Sequence, residues 1–390
     1  MNYAVHKKSY ARGFTLTEVM VVLVIALIGM SGILTMFSQS ARSVDVLDQH
    51  LAAQRQLRFA TEAVKRDLRL AGFLSTPNGL VDANQCPNPA TSPGVYPLRA
   101  VSIQRGNGFI HEPSVNANLV PSSLTLLGDF SGGQLFESEQ IDPGTDSVVL
   151  RDTDSTPKTK EEWDLVFTSN RILRVTNSEQ YDFYLPIKRT DFPARTIYLD
   201  GSIPVATPPD NCGVLGFGGG YSVNVNYYIR YRIMDDPRER SQTILIREEL
   251  EADGQTAVPS TRMIIGENVI DLNFYDFIFD VGTAAVPELK RAATMTELID
   301  GNIVVDAAGG GLLGVSGANH PENLRAITVK LTACGREQNV DTFFQPRQDP
   351  TKPIYVFKID KTMAGAVRCM SAASRVQLRS LMVRNLKQGD

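Results

Sequence analysis

Four sets of residues in this 390-residue chain have the types and spacing from which chemistry could be built. Asp152, Asp154 and Thr156 alternate like the first oxygen ligands of a calcium loop. An EF-hand needs Gly at the sixth position and Glu at the twelfth, where this chain has Pro157 and Trp163, so a solvated acidic loop is expected. His6, His50, His111 and His320 lie far apart, and neither His-Glu-x-x-His nor Gly-x-Ser-x-Gly occurs. The glycine runs at Gly216 to Gly220 and Gly309 to Gly311 lack the Gly-Lys-Ser/Thr that completes a phosphate cradle, and they read as loops. Cys86, Cys212, Cys334 and Cys369 come without Cys-x-x-Cys or His-x-x-x-His spacing, which argues against zinc. In an oxidising compartment an even count reads as two disulfides, with three pairings possible. Cys86 and Cys212 lie in Pro-rich loops, while Cys334 and Cys369 bracket a hairpin-like stretch. Those positions favour Cys86 with Cys212 and Cys334 with Cys369. No catalytic constellation, metal site or cofactor site emerges, and the expectation is a protein that is not an enzyme.

A fifth feature is one carboxylate in an apolar setting. Residues 14 to 37 carry a single ionisable side chain, Glu18. At about 1.5 Å per residue the run makes roughly 36 Å of helix, enough for a hydrocarbon core of about 30 Å. Lys7, Lys8 and Arg12 precede it without an acid, and the next base is Arg42. The positive-inside rule then places the N-terminus in the cytoplasm and the rest of the chain across the membrane. A cleaved secretory signal would have a shorter apolar core and a small-x-small junction, and neither is present. An acid inside a membrane helix is costly and calls for a partner. The rest of the composition is globular: 43% hydrophobic, 21% charged, with a formal charge of −4. That charge supplies no basic field for a nucleic-acid backbone, so no direct nucleic-acid binding is expected.

Arg12-Gly13-Phe14-Thr15-Leu16-Thr17-Glu18, followed by the apolar run, resembles the class III signal of type IV pilins and type II secretion pseudopilins. The resemblance implies cleavage by a prepilin peptidase between Gly13 and Phe14, N-methylation of the new Phe14 amine, and a mature formal charge of −7. It also implies a docking pair, Glu18 with the Phe14 amine of a neighbouring subunit. The physics fits that pair: Glu18 sits one turn from the new N-terminus, where the helix dipole favours an anion. In a low dielectric an unpaired charge is expensive, which fixes register.

No proline interrupts Phe14 to Pro77, and a helix to about Gly72 is predicted. It divides into a membrane or filament-core part, 14–37, and an amphipathic continuation, 38–73. Leu57, Ala60, Val64, Leu68 and Ala71 recur at spacings of three and four and mark a face for the following domain. Val44, Leu47 and Leu51 form a second stripe, which either meets neighbouring subunits or follows a gently curved helix on one core. Gly29, Gly32 and Thr35 stand where many major pilins carry a helix-breaking proline. They serve either local melting or close helix packing.

Residues 74–390 change to Pro, Gly, Asn and Ser with short β-branched runs, which predicts a periplasmic β-rich head. Tyr221 to Met234 alternates most clearly. Ser147 to Leu150, Ile172 to Val175, Thr243 to Arg247, Val269 to Phe279, Leu324 to Thr332 and Ile354 to Ile359 are further strands. The expected fold is α+β and pilin-like, a long N-terminal helix on an antiparallel sheet with large loop insertions. Residues 57 to 73, 226 to 233 and 376 to 385 resemble PilW-type minor pilins and the related GspJ-type minor pseudopilins. That likeness implies a minor component that primes pilus assembly and sits at or near the tip, serving twitching motility, adhesion or DNA uptake. Its implied partners are other minor pilins, the major pilin, a tip adhesin and, before assembly, the inner membrane of a Gram-negative cell. A type II secretion pseudopilin shares the leader and helix. A membrane-anchored periplasmic enzyme or binding protein is the alternative from another class.

Overall fold

The computed structural model describes residues 15–79, 82, 84–86, 98–105, 121–206, 213–214, 218–238, 242–280, 289–292, 321–335, 356–358 and 364–382. The chain divides into two compact units, Met1–Ala52 and Ala53–Asp390.

Helix α1 runs Leu16–Leu70. Its start is a capping box: the Glu18 N–H donates to the Thr15 hydroxyl at 3.3 Å and the Thr15 N–H donates to the Glu18 carboxylate at 2.9 Å. Leu16–Val44 is long and apolar enough to cross a membrane by length and composition. Its polar side chains are satisfied locally, since the Ser31 hydroxyl donates to the Ile28 carbonyl and the Thr35 hydroxyl to that of Ser31. The far end of the helix stops two residues short of the expected Gly72, and its cause is local. Gly72 takes a left-handed φ of +73° and donates its N–H to the Leu127 carbonyl at 2.8 Å.

The second unit is built on the stripe read from the sequence: Leu57, Ala60, Val64, Leu68 and Ala71 are all buried. Around them stand strands β1 (Val101–Arg105), β2 (Ser122–Gly128), β8 (Ser222–Asp235), β9 (Thr243–Leu250) and β10 (Met263–Glu267), paired in the order β1-β2-β8-β9-β10. A second sheet contributes to the same core. It comprises β11 (Val269–Asp280), β12 (Leu289–Ala292), β13 (Leu324–Cys334), β14 (Val356–Phe357) and β15 (Val367–Gln377), ordered β12-β11-β13-β15-β14. All these strand pairings are antiparallel, as expected.

The head departs from one sheet with loop insertions. Between β2 and β8 lie β3 (Phe136–Ile141), β4 (Ser147–Leu150), helix α2 (Lys160–Val166), β5 (Ile172–Thr176), β6 (Asp182–Asp191) and β7 (Thr196–Leu199). Their pairings run β8-β3-β4-β7-β6-β5 and return to β8, a closed ring of six strands. Closure leaves the ring without edges, and Trp163, Phe136, Leu173 and Phe183 fill a core of its own. β8 makes both structures possible. Its residues Ser222 to Asn226 pair with β5 in the ring, and Tyr227 to Tyr231 pair with β2 in the sheet.

Candidate assembly site

Glu18 is the candidate on which the sequence converges, and α1 presents it in the first turn, N-terminal to the apolar span. One carboxylate oxygen, Oε2, accepts from both the Thr15 N–H and the Thr15 hydroxyl at 2.9 Å. Oε1 makes no hydrogen bond among the described residues, so the side chain is oriented by its own helix yet keeps an acceptor for a second donor. The sequence reading used only the position of Glu18. The cap was visible in Thr15-x-x-Glu18, and Thr15 is the residue that reading missed. Gly13 and Phe14, the expected cleavage and methylation positions, lie outside the described residues.

In the first unit the span is uncovered: Val19 to Ile25 and Ile28 to Phe37 hold exposed apolar side chains. Val44, Leu47 and Leu51 are exposed as well. A cation or another helix meeting this surface would therefore meet apolar side chains with Glu18 as the acid at their head.

In the second unit, α1 is held by an ionic contact that periodicity did not reveal. Asp67 is buried, and its carboxylate accepts from Arg247 Nε and from the Tyr231 hydroxyl, each at 2.7 Å. Burial, and after it the Asp67 charge, push the Tyr231 phenol far above its ordinary range, so it stays a donor.

The described cysteines sit in two places. Cys334 and Cys369 face each other across the β13/β15 ladder and form a disulfide. Cys86 is buried and disulfide-bonded, and its expected partner Cys212 lies outside the described residues. The calcium-like loop is occupied by the protein's own cations: Lys158 Nζ lies 2.6 Å from Asp152 and Arg195 Nη1 3.2 Å. The Lys158 hydrogen bond, then its charge, hold the Asp152 carboxyl below its usual range. Among the described residues no group of three His, Cys, Asp or Glu side chains could hold a metal ion. His111 and His320 lie outside the described residues, while His50 is half-buried on α1.

Residues 8–34 match the model of the prokaryotic N-terminal methylation motif, a stretch that contains Gly13, Phe14, Glu18 and most of the apolar run. No curated protein and no solved structure matches the chain.

Proposed function

We propose, for a chain whose methylation motif makes it a type IV pilin- or pseudopilin-like precursor, that it is a PilW-type minor pilin. In this reading prepilin peptidase cuts after Gly13 and methylates Phe14. The head stands in the periplasm on a single membrane helix, and the mature subunit joins other minor pilins to prime the pilus and remain at or near its tip. It works through surfaces and not as an enzyme: the apolar span enters the filament core, Glu18 docks on the Phe14 amine of a neighbour, and the head meets companion subunits, the major pilin or a tip adhesin. Twitching motility, adhesion or DNA uptake would depend on it. The observation that carries this reading is the match over residues 8–34, with the acid Glu18 heading an uncovered apolar helix. The large head, with its added six-strand ring, supports a pilus subunit over the generally smaller pseudopilins.

Mass spectrometry of the N-terminal peptide, from membranes and sheared filaments with and without the peptidase, tests it. The expected peptide begins at N-methylated Phe14 only when the peptidase is present. Glu18→Ala is expected to leave cleavage intact and lower the subunit's content in sheared filaments at least tenfold. An intact Met1 to Phe14 segment under both conditions would overturn the proposal.

A further inference from the structure

Strand β10 is an edge. Among the described residues it pairs only with β9, through Met263 with Arg247, Ile264 with Ile246, Gly266 with Leu245 and Glu267 with Ile244. An edge leaves one row of N–H and C=O groups for another chain, and proteins commonly blunt such rows with charge or proline. β10 carries a bulge between Ile264 and Gly266 and ends on Glu267, yet before the bulge it turns large apolar side chains to solvent on both faces, Met263 at 56% exposure and Ile264 at 42%.

Beside this edge lies a charge imbalance. Glu248, fully buried on β9, stands opposite Arg230 of β8 and accepts from three guanidinium groups. Arg230 donates to Oε1 through Nε at 3.0 Å and Nη2 at 2.7 Å; Arg232 donates to Oε1 through Nε at 2.7 Å. Arg262, the residue just before β10, donates to Oε2 through Nε at 3.2 Å and Nη2 at 3.1 Å. Burial, the largest single influence, acts to raise the Glu248 pKa, but the hydrogen bonds and charges of Arg232 and Arg230 together hold the carboxyl below its usual range. One anion therefore faces three cations. The nearby Asp253 is engaged in its own turn, accepting from the Gln255 and Thr256 N–H groups. Arg230 spends Nη1 on the Gln255 carbonyl, whereas both Nη groups of Arg232 and the Nη1 of Arg262 have no hydrogen bond among the described residues. Those two side chains are partly exposed, at 29% and 31%.

We propose that the β10 edge is a docking strand for an extended segment of a companion subunit in which apolar and acidic residues alternate. The segment's backbone pairs with β10, its apolar side chains pack beside Met263 on one face, and its carboxylates, on the Ile264 face, meet the open guanidinium forks of Arg262 and Arg232. Charge complementarity selects this occupant: a basic or wholly apolar segment would leave the arginine excess unpaired. A nucleic-acid strand has no peptide backbone to complete the ladder. That the segment belongs to a companion subunit rests on the function proposed above, while the strand addition rests on the head alone.

Fluorescence anisotropy on the full-length protein in detergent micelles tests this, with a labelled ten-residue peptide alternating valine and glutamate as probe. Two control peptides carry lysine in place of glutamate, or N-methyl groups on every backbone nitrogen. The glutamate peptide is expected to bind at least tenfold tighter than either control, and Arg232→Glu to weaken it at least tenfold while strengthening the lysine peptide. Absent binding of the glutamate peptide, equal binding of the lysine peptide, undiminished binding of the N-methylated peptide, or its displacement by an equal concentration of a single-stranded oligonucleotide would each overturn the proposal. The peptide comparison needs no variant, so misfolding of Arg232→Glu does not shield it. Failure here beside a correctly processed Phe14 would leave the minor-pilin reading standing.

Discussion

Asp67 shows what one residue can contribute when a helix lies on a sheet. Its carboxylate is buried at 1% exposure, and both Arg247 and Tyr231 donate to it across the helix–sheet boundary. Removing the acceptor strands a largely buried guanidinium and a buried phenol, and breaking such a pair costs about 3–5 kcal/mol. Asp67→Ala is therefore expected to lower the urea midpoint sharply or prevent folding, whereas Asp67→Asn keeps an acceptor for Tyr231 and loses less. Urea titration followed by circular dichroism separates the two, and equal losses would show that the carboxylate is not what matters. None of this was legible from hydrophobic spacing. Asp67 lies within Lys65-Arg66-Asp67-Leu68-Arg69 and Glu248 within Arg247-Glu248-Glu249, stretches that read as solvated charge because charge alone does not say which member faces the core. Glu18 was legible because a lone acid in an apolar run has no bland surroundings to hide in.

For the elements, the exit of α1 is a tightly constrained turn. A Cβ on Gly72 would come within 2.5 Å of Leu381 Cδ2, and the backbone there is already left-handed. Gly132 also has a positive φ, +113°, but faces open space. Gly72→Ala should thus combine strain with a clash and cost roughly 1–3 kcal/mol, while Gly132→Ala should show the strain alone. Thermal melts of the pair would measure the difference, and identical shifts would mean that the Leu381 side chain simply moves aside. The helix was readable because its signals agree: the absence of proline, the apolar period and the closing glycine. Strands with steady alternation were readable too, and β8 came within one residue at each end. β6 was not, because Pro186 reads as a breaker. It sits where β6 leaves β5 and joins β7, at a corner where its missing N–H is tolerated. β15, Val367–Gln377, was missed because its alanines and serines give little hydrophobic contrast.

Taken as a whole molecule, the second unit has a ring and a helix-bearing sheet with separate cores, and sequence could not show that one strand serves both. β8 is the covalent link, and Arg171 is the side chain that clamps them. From the start of β5 in the ring, its Nη1 donates to the Leu165 and Val166 carbonyls at the end of α2, at 2.8 and 3.0 Å. There a cation also complements the helix dipole. The same guanidinium donates to Glu249 of β9 at 3.1 Å and lies 4.2 Å from the centre of the Tyr227 ring on β8. It therefore ties α2 and β5 to β8 and β9 in one contact centred on the buried Arg171 and Tyr227. With the clamp intact, ring and sheet are expected to unfold in one transition. Arg171→Ala leaves Glu249 without its cation and the α2 carbonyls without their donor, so the ring should lose stability first and calorimetry should resolve two transitions. Arg171→Lys keeps the charge but cannot reach three partners with a planar fork, and it should fall between. A single transition at the original temperature in Arg171→Ala would show that β8, with the packing of Ile172 and Tyr184 on Leu127 and Leu250, couples the two cores without the clamp.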